Sequence, residues 1–345
     1  MSSPLPGGSA SAARPRTRLR VLVAGHSYLA GVNQQKLETL SRYCESVAVL
    51  VPANWKYRGG LFAGERVPPA CHRSGFRMLA APVARPDHLA SFVFGPVSLM
   101  RLLAEAPGEV VHIDQEVYSL AAAQLTLAAK AAGRKAVVFG WENLDRPLHP
   151  AQRGARRMVL GLADAIVTGS GESAALVRKW GYGGPVAVIP QLGVDASLFR
   201  PAHRRQPGPA RIGYLGRLVP EKGVDVLLDA AAILAAAQKE FRLVICGSGP
   251  AAKELKRQVC GLGLEGAVDW QSAVPHEQAP AVLRALDVLV LPSRATDRWK
   301  EQFGHVLIEA MAAGVAVAGS RSGAIPEVIG REDLIFDEGD AAALA

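Results

Sequence analysis

Short apolar runs recur along this chain, each about long enough for one strand and each followed by a glycine- or polar-rich turn and an amphipathic stretch. Residues 19–24, 46–51, 110–113, 136–139, 165–168 and 186–189 form a first series. Residues 211–215, 241–246, 268–270, 288–291, 316–318 and 334–336 form a second. A run that is apolar throughout, with no polar alternation, suits a strand covered on both faces, as in a parallel sheet. Strands that alternate with helices predict that architecture. The alternation stops over 190–209, which is rich in Pro and Gly, and then restarts. The expected fold is therefore α/β with two Rossmann-like, doubly wound domains, one over 19–190 and one over 210–345, joined by a linker at 191–209. The first 18 residues, made largely of Ser, Pro, Gly, Ala and Arg, are expected to be a disordered tail.

Composition narrows the class. Apolar residues at 49% and charged residues at 20% suit a soluble chain with a large core, and 345 residues suffice for two such cores. No apolar run reaches the length of a membrane span, and the run after Arg20 ends too soon at Gly25-His26-Ser27 for a convincing signal peptide. Cys44, Cys71, Cys246 and Cys260 show no Cys-x-x-Cys pairing, so neither a zinc site nor a disulfide framework is suggested, and the cytoplasm is the expected compartment. Charge is unevenly held: Met1 to Arg200 carries 23 Lys and Arg against 13 Asp and Glu, the remainder 16 against 18. A basic first half suits an anionic partner, such as an acidic membrane surface or an anionic acceptor, or it is simply a solvated basic face. No nucleic-acid module is visible, and no nucleic-acid partner is expected.

The most informative stretch is 301–320, EQFGHVLIEAMAAGVAVAGS, which reads as a loop, a helix ended by Gly314, and a buried strand. Glu301 and Glu309 bracket the helix, and at helical rise that spacing spans about 12 Å. Between them lie Phe303, Gly304 and a helix N-terminus whose free amides can seat an anion. Glu309 stands among Val306, Leu307, Ile308, Ala310 and Met311, so burial demands a partner for it: a ligand, or a core salt bridge.

Other turns at strand ends carry further candidates. Gly25 to Gly31 forms a loop after the first strand, where glycine lets backbone amides approach phosphate. Asp114 ends another strand, where it either orients a ligand hydroxyl or caps the next helix. Arg217 and Lys222 flank a strand-to-helix turn, where two cations and helix amides can meet a diphosphate or can be merely solvated. Gly247-Ser248-Gly249-Pro250-Ala251-Ala252 fits Gly-x-Gly-x-x-Ala, with Asp269 beyond it. Yet it follows the second strand of its series, and Pro250 removes an amide donor, which argues against a dinucleotide site.

Taken in order, Gly-Arg-Leu-x-x-x-Lys-Gly at Gly216 to Gly223, Gly-x-Gly-Pro at Gly247, Glu-x-Phe-Gly and Glu-x7-Glu from Glu301, and Ser-Gly-x-Ile-Pro-Glu at Ser322 resemble the retaining glycosyltransferases of family 4, which have the two-domain GT-B fold. The resemblance is strong after residue 210 and looser before it. It implies donor-binding roles for Arg217 and Lys222 at the diphosphate, Glu309 at the ribose, Phe303 and Gly304 beside them, and Gly25 at the phosphate-bordering loop. It places Glu301 at the sugar hydroxyls as a catalytic-site residue. Many relatives carry a second His two residues after the first, where this chain has Asp114, which puts any His base in doubt. Retaining transfer in this fold is generally thought to need no protein base. With no Asp-x-Asp in the chain, no metal and no cofactor is expected beyond the nucleotide-diphosphate sugar as co-substrate. The implied activity is metal-independent transfer of a sugar to a cell-envelope glycan or lipid-linked acceptor in polysaccharide biosynthesis, with the protein cytoplasmic or peripheral on the inner face of the membrane. Family members usually continue through several more helices after the point where this chain stops at Ala345. That favours, as the alternative, a non-catalytic nucleotide-sugar-binding or scaffold protein of the same fold. Hydrolysis of the donor separates the two.

Overall fold

The structure, a computed structural model, describes residues 19–56, 65–106, 108–190, 193–201 and 208–345. The expected disordered tail at 1–18 and parts of the expected linker lie outside these. Two sheets organise the chain. The first has seven strands in the order Arg77–Ala81, Ser46–Pro52, Arg20–Ala24, Val110–Asp114, Lys135–Gly140, Ala165–Thr168 and Val186–Val188. The second has six, in the order Val268–Gln271, Phe241–Cys246, Ala210–Leu215, Val288–Leu291, Ala316–Ser320 and Ile335–Phe336. Registered pairs in both are parallel: Val23 stands beside Val49 and His112, and Leu289 beside Val317. Both sheets therefore reverse strand order at their first strand, the point where open α/β sheets bind ligands at the C-terminal strand ends. A separate antiparallel pair joins Val83–Ala84 to Val93–Phe94.

By internal contacts the chain falls into two compact units, one of Met1–Phe139 with Leu148–Ile166, the other of Gly140–Pro147 with Val167–Ala345. The second sheet buries a continuous apolar core that includes Leu228, Ile245, Leu283, Leu289, Leu307 and Ile325. The helix Val224–Ala236 turns Val224, Leu227, Leu228 and Ala231 inward, as its periodicity requires. Cys246 closes its strand in the core.

Arg77–Ala81 is an edge strand of the first sheet. A helix runs over Pro96–Glu105, with a Pro at its first turn. Asn33 precedes the helix Gln34–Ser41, and its side chain donates to the Ser27 carbonyl. Asp114 does not cap the following helix; Ser119 does, accepting from the Ala122 amide. Among the described residues no helix is long and apolar enough to cross a membrane.

Candidate functional site

In the second unit a cavity of about 400 Å³ opens at the C-terminal ends of the sheet strands. Its lining includes five of the residues singled out from sequence: Arg217, Lys222, Glu301, Phe303 and Gly304. The first two come from the turn after Ala210–Leu215. Tyr214, almost fully buried, donates to the Arg217 carbonyl at 2.7 Å and fixes that turn. Burial, reinforced by the nearby Glu301 charge, pushes the Tyr214 phenol well above its ordinary range, so it stays a donor. The Arg217 guanidinium is exposed, and no carboxylate pairs with it among the described residues. Gly223 ends the turn at φ 64°, where a Cβ would stand 1.9 Å from the Pro292 carbonyl oxygen, so only glycine fits.

The two glycines of Gly-x-Gly-x-x-Ala have a packing explanation. A Cβ on Gly247 would lie 1.9 Å from the Gly216 carbonyl oxygen, and one on Gly249 2.2 Å from that of Leu218. The Leu218 amide donates to the Ser248 carbonyl, and the Ala251 amide to the Leu218 carbonyl. This loop thus serves as the seat for the Arg217 turn.

Glu301 is buried, and its Oε2 accepts from Lys222 Nζ at 2.5 Å and from Ser293 Oγ at 2.9 Å. The Lys222 ammonium also lies 4.8 Å from the centroid of the Trp299 ring. A buried pair with these extra partners compensates much of its desolvation, whereas either charge alone would be strongly destabilising. The helix starts later than its sequence suggests. Gly304 takes the left-handed conformation at φ 80° and precedes His305–Ala312, so Glu301 lies in the segment before the helix and the 12 Å helical spacing does not apply. With no side chain capping this N-terminus, the amides at His305 and Val306 border the cavity.

Glu309 sits along the same helix and is not among the cavity-lining residues. Its side chain is 18% exposed, and Oε1 lies 3.7 Å from His276 Nδ1, a loose contact and not the core salt bridge that was the alternative. Burial raises the Glu309 carboxyl to about 7. Sequence reasoning gave no role to Trp141 and His305, which also line the cavity. The Trp141 ring packs 6.0 Å from Phe303 and 6.3 Å from His305. Burial lowers the His305 pKa against the pull of Glu301. Trp141 was visible only as part of Gly-Trp-Glu-Asn after a strand, far along the chain from the rest.

Gly25 and Asp114 come together in the first unit. A Cβ on Gly25 would stand 3.0 Å from that of Asp114, so the glycine leaves room for the buried carboxylate. Ser27 donates to Asp114 Oδ2 at 3.3 Å, and Gln115 hydrogen-bonds His26 at 2.8 Å. Burial holds His112 down at about 4, helped by the charge of Lys36. A neutral His112 is thus the resting form near neutrality. Among the described residues no three His, Cys, Asp or Glu side chains come together as a metal site.

With this geometry in hand, the chain can be set beside known proteins. Residues 195–345 match the glycosyl transferases group 1 family. The chain is 30% identical over 299 residues to a GDP-mannose-dependent alpha-(1-6)-phosphatidylinositol monomannoside mannosyltransferase of Mycolicibacterium smegmatis, covering 79% of this chain and 74% of that one. It is also 30% identical over 259 residues to the 2-deoxystreptamine glucosyltransferase of Streptomyces kanamyceticus, covering 68% of this chain and 65% of the relative. It spans about half the length of several D-inositol 3-phosphate glycosyltransferases that it also matches. Among solved structures, Anabaena HepE in complex with UDP and glucose superposes with a TM-score of 0.65 at 18% identity, over 95% of this chain and 88% of that one. The fold is GT-B, and the chain belongs to the glycosyl transferases group 1.

Proposed function

We propose that this chain is a retaining, metal-independent glycosyltransferase of family 4 that takes its sugar from a nucleotide-diphosphate sugar. The observation that carries this reading is a single cavity wall combining Arg217, which no carboxylate pairs among the described residues, a Lys222–Glu301 ion pair and the uncapped helix N-terminus at Gly304. Together these present net positive potential without a metal ion, as a departing diphosphate requires. Arg217 and the amides at His305 and Val306 hold the diphosphate oxygens, and Lys222 joins them while holding the Glu301 carboxylate in place. Glu301 accepts from the sugar hydroxyls. Glu309, further along the helix, accepts from the ribose. As the bond from anomeric carbon to phosphate oxygen breaks, the electron pair leaves with the nucleoside diphosphate. The acceptor oxygen forms its bond on the same face, and its proton passes to the departing phosphate oxygen. Asp114, buried in the first unit beside Gly25, orients an acceptor hydroxyl.

The acceptor class is a cell-envelope glycan or lipid-linked intermediate, used in polysaccharide biosynthesis. The relative named as a phosphatidylinositol monomannoside mannosyltransferase supports it, and the basic first half suits an anionic membrane surface in the cytoplasm. The cleanest test is Arg217→Ala, since removing Lys222 would also strand a buried Glu301. Turnover of UDP-glucose or GDP-mannose should fall by about 10²-fold at unchanged melting temperature. Turnover within a few-fold of wild type would overturn the leaving-group assignment.

A further inference from the structure

The backbone carbonyl of Glu301 is held from two sides, and one of the holds comes from a segment far away in sequence. Asn143, buried in the Gly-Trp-Glu-Asn segment, donates its amide Nδ2 to the Glu301 carbonyl at 3.0 Å. The Ala324 amide donates to the same oxygen at 3.1 Å. Gly323, at φ 54°, allows that approach, because a Cβ there would lie 1.9 Å from it. The Asn143 amide also donates to Glu172 Oε2 at 3.3 Å, and the other oxygen of Glu172 accepts from Lys300 Nζ at 2.8 Å. Two successive residues, Lys300 and Glu301, are thus tied to one carboxylate on the first turn of the helix Gly171–Lys179. Asn143, Glu172, Lys300 and Ala324 do not line the cavity, yet they fix the peptide from which the Glu301 side chain projects into it. A carbonyl that is buried and bonded on two sides cannot rotate without stranding a donor.

We infer that Asn143 is a positioning residue for glycosyl transfer, acting with Glu172 and Lys300 to hold Glu301 at the reacting sugar. This rests on the reading of Glu301 given above. Misplacing a reacting contact by about 1 Å costs up to about 10²-fold in rate, so the effect belongs in kcat and not in donor KM.

The experiment is a double-mutant cycle on donor turnover with UDP-glucose or GDP-mannose, using Asn143→Ala, Glu301→Gln and the pair. Asn143→Ala alone should lower kcat about 10-fold or more with KM within about two-fold. In the Glu301→Gln background the same change should cost less than about two-fold, because the group it positions is already gone. Equal losses in both backgrounds, or a raised KM at intact kcat, would overturn the inference while leaving Glu301 in place. If Glu301→Gln alone leaves kcat unchanged, the reading of Glu301 fails, and the inference fails with it. Lys300→Met and Lys300→Arg repeat the test from the surface end should Asn143→Ala not fold. The methionine should lower kcat and the arginine restore it, and equal rates in both would count against the hold.

Discussion

Glu309 should make both stability and donor binding depend on pH, in directions set by its burial. Its carboxyl titrates near 4.5 when unperturbed and at about 7 in the folded protein, because burial disfavours the charge. Between those two values the unfolded chain loses a proton that the folded protein keeps. The associated stability is therefore fully present below about 4.5 and is lost as pH rises toward 7. The shift corresponds to about 3 kcal/mol at most. The residual exposure and the His276 imidazole nearby reduce that to about 1–2 kcal/mol. Glutamine at this position has no proton to lose. The melting temperature of wild type minus that of Glu309→Gln should therefore fall between pH 5 and pH 8, by about 2–4 °C per kcal/mol. Titration of His305 is common to both proteins and cancels in the difference. Donor binding works the other way. In the proposed ribose contact, hydroxyls that donate to Glu309 favour its ionised form and binding expels the proton, so donor Kd should tighten from pH 6 to pH 8 in wild type and stay flat in Glu309→Gln. Thermal melts across pH, paired with calorimetric titration in buffers of different ionisation enthalpy, measure both effects. A melting difference that does not change with pH would refute the burial argument. A donor affinity with the same pH dependence in both proteins would refute the ribose contact.

Two further outcomes follow from the same site. Excess EDTA should leave transfer largely intact if, as proposed, Arg217, Lys222 and the helix amides carry the leaving-group charge; collapse on chelation with recovery in magnesium or manganese would contradict that. Gly223→Ala should destabilise the fold by about 1–3 kcal/mol and lower turnover, because the residue sits at positive φ against the Pro292 carbonyl; a melt matching wild type would show that the turn tolerates a side chain.

Much of the site was legible because it is local in sequence. Arg217, Lys222, Glu301, Phe303 and Gly304 lie in two short motifs at strand ends, and the sheet brings those ends together. What could not be read was contributed from a distance. Trp141 and Asn143 reach the site from more than a hundred and fifty residues before Glu301, and nothing in the local pattern marks them. The helix boundary was misplaced because Gly304 in the left-handed region breaks the repeat just where the apolar pattern already looks helical. Glu309 was read as buried and in need of a partner; it is only half-buried and carries a raised pKa in place of a close ion pair. The edge strand Arg77–Ala81 escaped notice because its burial alternates and a charged residue opens it, unlike the apolar central strands.

The most direct test of glycosyl transfer with retention is the configuration of the sugar released when the purified chain hydrolyses a nucleotide sugar slowly, with water as the acceptor. Proton NMR of the anomeric signal, recorded before mutarotation, distinguishes the two anomers, with UDP-glucose and GDP-mannose as the donors to try. The proposed chemistry predicts that the first free sugar carries the donor's own anomeric configuration, and that Glu301→Gln slows its appearance. A first-formed sugar of inverted configuration, or no hydrolysis of a donor that demonstrably binds, would contradict it.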